Sequence, residues 1–68
     1  MLKLRQKTFT NDEGKKIAFV DIRIVDGKYD YPVRFDDKTK KRANQWMRSL
    51  GFTIGEINED LPEKEVTI

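Results

Sequence analysis

The chain contains no cysteine and no histidine, and its only serine is Ser49. Without cysteine there is no disulfide and no thiolate ligand. Without histidine, the commonest metal ligand and the usual acid–base group near neutral pH are missing. Ser49 has no histidine to activate it, which excludes a hydrolytic triad. We therefore expect no metal, no cofactor and no catalysis.

Long apolar runs and phosphate-binding glycine loops are also missing. No stretch is long and apolar enough to span a bilayer, and the first residues alternate charged and apolar side chains, unlike a signal peptide. These absences predict a cytoplasmic protein with no membrane partner. Sixty-eight residues make one small domain. At this size the stability margin is narrow unless a second copy or another partner adds buried surface.

Charge is unevenly distributed along the chain, although the formal net charge is only +2. The first fifty residues hold thirteen Lys and Arg against seven Asp and Glu, whereas residues 51–68 hold one lysine against five acids. This asymmetry predicts a basic body, able to bind a polyanion, followed by an acidic tail.

Three segments that alternate apolar and polar residues predict an antiparallel meander. The first is Leu2–Thr10, and residues 16–35 hold two more, joined by Asp26-Gly27. Asp-Gly between alternating runs is one of the strongest short-range hairpin signals. Asn11 followed by Gly14 predicts a three-residue loop with a bulge for the first hairpin.

The two turns also predict which residues lie opposite each other. The first turn sets Leu4 opposite Ile22, and a two-residue Asp26-Gly27 loop sets Ile24 opposite Tyr29. Both place the same residues of the middle strand on one face, and a one-residue error would invert that face. The predicted apolar face consists of Leu2, Leu4, Ala18, Val20, Ile22, Ile24, Tyr29, Tyr31, Val33 and Phe35.

A helix is predicted after the strands. Asp36-Asp37 supply an N-cap and a first-turn acid, and Gly51 lies where a C′ glycine belongs. Between them a narrow apolar stripe repeats at helical spacing, and we expect all of it in the core: Ala43, Trp46, Met47 and Leu50.

The predicted fold class is therefore α+β. We expect a three-stranded antiparallel β-meander with one C-terminal helix packed on one face, in β-β-β-α order. Residues 1–52 would form this single domain. Residues 53–68 would form an acidic tail that is either partly ordered or adds a short edge strand.

The sheet face away from the helix carries the functional prediction. The registers place five bases and two acids on it, with phenylalanines among them. Lys and Arg at strand spacing can contact successive phosphates. A sheet can also enter the major groove of DNA or stack unpaired bases on aromatic rings. The sequence thus predicts a non-enzymatic module that binds DNA or RNA through Lys3, Arg5, Lys7, Phe19, Arg23 and Arg34.

Two further observations bear on nucleic-acid binding. In topology alone, the β-β-β-α order resembles the DNA-binding domains at integrase amino termini and in plant transcription factors, which bind DNA through a sheet; none of their motifs is present. The helix carries a second basic cluster, Lys38 to Arg42. Such a cluster fits a nucleic-acid contact less well than a solvated helix face.

The alternative prediction is a small protein-interaction or inhibitor module of the kind that phages and plasmids carry. Cross-strand ion pairs, Arg5 with Asp21 and Arg23 with Asp30, would then keep an exposed sheet soluble. A homodimer or another protein would bury an apolar patch on the same face, made of Phe9, Ile17, Phe19 and Val25.

Overall fold

The fold is described by a computed structural model that covers all residues from Met1 to Ile68. It is an α+β chain with an antiparallel sheet of five strands and one helix, which is neither long nor apolar enough to cross a membrane. The elements are β1 (Leu2–Thr10), β2 (Lys16–Asp26), β3 (Tyr29–Pro32), α1 (Asp37–Ser49), β4 (Gly55–Ile57) and β5 (Glu65–Thr67). The predicted meander and helix are present, but the three-stranded sheet was incomplete, because β4 and β5 extend it.

The first hairpin has the predicted register, with Leu4 opposite Ile22. Its turn is closed by Asn11, whose side-chain Oδ1 accepts hydrogen bonds from the backbone N–H groups of Glu13, at 3.0 Å, and Lys15, at 2.9 Å. Asparagine commonly closes turns in this way. Gly14 takes a φ of +78°, a conformation that glycine adopts without steric cost.

The second hairpin differs from the prediction by two residues. Ile24 lies opposite Tyr31, and Asp26 lies opposite Tyr29. The loop is therefore Gly27-Lys28, and Gly27, with a φ of +61°, is its only residue with positive φ. A type I′ loop at Asp26-Gly27 would require positive φ at the aspartate as well. Because side chains alternate with a period of two, this shift leaves every residue on its predicted face.

The strand order is β3-β2-β1-β5, and β4 pairs with the part of β2 that β3 leaves free. β5 lies along β1, with Val66 opposite Leu4. β4 lies along the start of β2, with Gly55 opposite Ala18. Both added strands span three residues, too few to show a hydrophobic period. They make β1 and β2 the two central strands.

The core is small and lies under the C-terminal half of α1. Four buried side chains form it: Leu4, Ile22, Met47 and Phe52. Half-buried side chains surround it, contributed by every part of the chain: Leu2, Val20, Val33, Leu50, Ile54 and Val66. With Ala18, only five of the 68 residues are buried.

Some side chains assigned to the core from the sequence are exposed instead. Trp46 is 37% exposed, because one helical residue, about 100°, separates it from buried Met47 and turns it to the flank of α1. Tyr29 and Tyr31 lie on the helix side of the sheet but are mostly exposed, and Phe35, just before α1, is 40% exposed beside the helix. The predicted apolar face is therefore longer than the helix can bury.

The C-terminal end of α1 is as predicted. The backbone N–H of Phe52 donates to the Met47 carbonyl and that of Gly51 to the Arg48 carbonyl, the two bonds of a Schellman motif. Phe52 and Met47 also pack together in the core. Lys64 adds a contact from the far end of the chain, because its Nζ donates to the Leu50 carbonyl at 3.1 Å.

The N-cap is also as predicted, and it makes stability depend on pH. Asp36 Oδ1 accepts the backbone N–H of Thr39 and its hydroxyl, each at 2.9 Å. These bonds, the backbone one foremost, lower the pKa of Asp36 below its ordinary 3.8. Because the folded state favours the carboxylate, this stabilisation is complete above pH 3.8 and is lost as the pH falls through the lowered pKa.

We expect Asp36→Ala to lower the thermal midpoint by about 5 °C at pH 7. The difference from the unaltered chain should shrink below pH 3.8. Asp36→Asn is the control, because asparagine caps helices without a charge, so the midpoint difference between Asp36→Asn and Asp36→Ala should stay constant over this pH range. Thermal unfolding followed by circular dichroism between pH 2 and 7 measures both. An Asp36→Ala loss that is equal at pH 2 and pH 7 would contradict the assignment.

Candidate nucleic-acid interface

The sheet face away from α1 is uncovered and carries the side chains that the sequence placed there. β1 and β2 bring Lys3 opposite Arg23 and Lys7 opposite Phe19. β5, which is the short edge strand that one of the two alternatives for the acidic tail predicted, adds Glu65 directly opposite Arg5. The face therefore gains an acid next to its row of bases.

Carboxylates pair with all three bases of β1 on this face. Glu65 accepts from Lys3 Nζ at 3.4 Å and from Arg5 Nη2 at 3.2 Å. Asp21 accepts from Lys7 Nζ at 3.5 Å. The structure thus pairs Arg5 with Glu65, 60 residues away, instead of with the predicted Asp21.

The fourth base of the face, Arg23, is paired as predicted. Its Nε donates to Asp30 Oδ1 at 2.6 Å, although Asp30 is diagonal to it in the register because Pro32 lies directly opposite. This hydrogen bond raises the pKa of Arg23 above its ordinary value. Arg34 is exposed, and it differs from the other predicted phosphate contacts because it forms no ion pair.

The apolar patch of the alternative prediction is brought together in part. Phe9 and Phe19 pack edge to face, with ring centroids 5.6 Å apart, and Ile17 lies opposite Phe9. Val25 is on the same face but six residues beyond Phe19, which is about 20 Å along the strand. We name Phe9, Ile17 and Phe19 the aromatic patch.

The bases that remain without a carboxylate partner are concentrated on and before α1. Residues 34–49 contain six bases and two acids. None of these bases takes part in any of the seven ion pairs, which all lie on strands, the first turn or the β4–β5 connection. We name this set the helix bases: Arg34, Lys38, Lys40, Lys41, Arg42 and Arg48.

One of the helix bases, Arg42, adjoins two partly exposed aromatic rings. Trp46 is 37% and Phe35 is 40% exposed. Together with Arg42, Thr39 and Ala43 they line a shallow hollow of about 270 Å³. This hollow was not predicted, because the apolar spacing assigned Trp46 to the core. Its signal was the position of Trp46, four residues after Arg42, which places both on one helix face.

No three acidic side chains lie together in an arrangement that could hold a metal ion. Comparison of the chain with protein-family models, curated proteins and solved structures gives no match.

Proposed function

We propose that this chain is a small non-enzymatic nucleic-acid-binding module that contacts phosphates through the helix bases. The observation that supports this proposal is the distribution of ion pairs. Four of the bases on the sheet face have carboxylate partners, and the helix bases have none.

The difference matters because binding a polyanion releases counterions from it. A base that neutralises a phosphate contributes to that release. A base already paired with a carboxylate must exchange one anion for another, and the displaced Glu65 or Asp21 then repels the phosphate. An unpaired base on α1 has neither cost. Exposed ion pairs contribute little to stability, so the sheet pairs affect binding more than folding.

The aromatic rings beside the helix bases favour a single strand as the ligand. Proteins bind single strands by combining basic side chains along the backbone with aromatic platforms for the bases. Trp46 and Phe35 are exposed enough to stack, and Arg42, in the same hollow, can contact the adjoining phosphate. The sheet face offers only the aromatic patch, surrounded by paired charges.

A protein-interaction module is the second candidate function. It is favoured by the aromatic patch, because Phe9 is half exposed and packs edge to face on Phe19. Aromatic clusters ringed by charged groups are typical centres of protein interfaces. In this case the ion pairs of the sheet face would form the polar rim.

An amide-shift NMR titration with a short single strand and a matched duplex tests the proposal. We expect shifts for residues 34–48 and for the Trp46 indole N–H, larger with the single strand and decreasing steeply with salt. Shifts confined to β1 and to Phe19–Arg23 would move the interface to the sheet face. The absence of shifts at low salt with either ligand would contradict nucleic-acid binding and leave the protein-interaction candidate.

A further inference from the structure

More large apolar side chains are exposed than are buried in this chain. Eight are exposed, whereas five residues in all are buried. Several of the exposed side chains continue the sheet face that α1 covers. They lie at the end of the sheet where β1 begins and β5 ends.

These side chains form one straight row across four strands. Backbone hydrogen bonds of 2.8 Å in both directions join Leu2 to Ile68. Leu2 lies opposite Ile24, and Ile24 lies opposite Tyr31. All four point to the helix side, and none is charged. We name Ile68, Leu2, Ile24 and Tyr31 the apolar row.

The next row along the same strands is covered by other side chains, whereas the apolar row is not. It consists of Val66, Leu4 and Ile22, and Met47 and Phe52 cover it. No side chain of the apolar row is fully buried: Leu2 and Ile24 are only half-buried, while Ile68 is 58% and Tyr31 is 51% exposed.

We propose that a second copy of this chain packs on the apolar row and that the protein is a homodimer. The row is self-complementary: a twofold axis along it brings each side chain against the same side chain of the second copy. Because α1 stands on one side of the row only, this axis places the two helices on opposite sides of the interface. The two sheets can then approach face to face at the usual spacing of about 10 Å.

The available area matches such an interface. Tyr29, at 63% exposure, adjoins the row. The apolar row and Tyr29 together present on the order of 500 Å² of apolar surface. A homodimer interface that buries roughly 800 Å² per partner has a similar apolar area. The dimer also supplies what this small core lacks, since natural domains of this size often gain stability through oligomerisation.

The exposed strand edges offer a poorer route to self-association. Pro32 has no N–H to donate, and Asp30 beside it carries a charge. The outer edge of β5 spans three residues and carries Glu65. Proline and charged residues at edge strands oppose pairing between sheets. Face-to-face packing on the apolar row is therefore favoured over pairing of strand edges.

Sedimentation equilibrium over a concentration series tests the dimer. We expect a mass of twice 8.1 kDa at high concentration. Tyr31→Asp and Ile68→Asp should each raise the dimer dissociation constant about 100-fold, and Tyr31→Phe should leave it unchanged. Phe19→Asp, on the opposite face, is the matched control and should remain dimeric. Circular dichroism confirms that each variant is folded, and Ile68→Asp, at an exposed position, replaces Tyr31→Asp if the latter unfolds.

Two results would overturn the dimer. One is a chain that sediments at 8.1 kDa up to millimolar concentration. The other is dissociation by Phe19→Asp while Tyr31→Asp and Ile68→Asp remain dimeric, which would place the interface on the aromatic patch. Neither result bears on the helix bases, so the nucleic-acid proposal stands or fails separately in its own titration.

Discussion

Replacement of Leu4 by alanine is expected to leave the chain largely unfolded at 37 °C. Leu4 is fully buried, under Met47 and Phe52 and between Val66 and Ile22 in the sheet. Removing such a side chain costs about 2–5 kcal/mol of unfolding free energy. A single core in a chain of this length rarely supplies more than about 3–5 kcal/mol, so one substitution removes most of it.

The same substitution at Leu61 is the matched control. Leu61 is half-buried in the connection between β4 and β5 and is not part of the core. Its replacement by alanine should lower the unfolding free energy by about 1 kcal/mol or less. Urea unfolding followed by circular dichroism measures both. Equal midpoints for Leu4→Ala and Leu61→Ala would show that the core assigned here does not hold the fold together.

The second large effect concerns nucleic-acid binding. The triple variant Lys38→Gln, Lys41→Gln and Arg42→Gln should weaken binding of a short single strand roughly 100-fold at low salt. Three lost phosphate contacts should also reduce the slope of log affinity against log salt by about 2. Glutamine has nearly the helix propensity of lysine and arginine, so α1 should persist. Fluorescence anisotropy of a labelled oligonucleotide gives both quantities.

A triple variant on the sheet face separates local contacts from net charge. This variant combines Lys3→Gln, Arg5→Gln and Lys7→Gln. It removes as many positive charges as the helix variant, but from bases that are already paired with carboxylates. We expect the affinity of this variant for the single strand to fall less than about tenfold, because the contribution of these three bases is long-range and screened by salt. A larger loss in the sheet variant than in the helix variant would return the interface to the sheet face.

Local sequence signals predicted the meander and the helix well. Asn11 and Gly14 determine the first turn, and Asp36 and Gly51 determine the ends of α1, each through hydrogen bonds to near neighbours. The second turn was displaced because Asp-Gly and Gly-Lys both suit two-residue loops, and only the φ requirement decides between them. β4 and β5 could not be predicted with certainty, because strands of three residues form only where a long strand already offers its edge.

The candidate site was less predictable, because charges are paired through the tertiary structure. Nothing local to Arg5 indicates Glu65, which is 60 residues away. The acidic segment was identified, but not its position beside β1. Likewise, the spacing of Trp46 and Met47 assigns both to one apolar stripe, and only the narrow contact of α1 with the sheet separates them. Arg34 is the one predicted base that the structure leaves unpaired.

The central position of β1 has a consequence for how the chain can fold during synthesis. β1 is made first, but one of its edges is completed by β5, whose first residue follows the end of β1 by 55 positions. While the ribosome makes the residues between them, the β1–β2 hairpin can form, but that edge of β1 has no partner. Unpaired edges invite pairing with other chains. Lys3 and Arg5 along β1 would then repel other nascent copies until β5 emerges with Glu65.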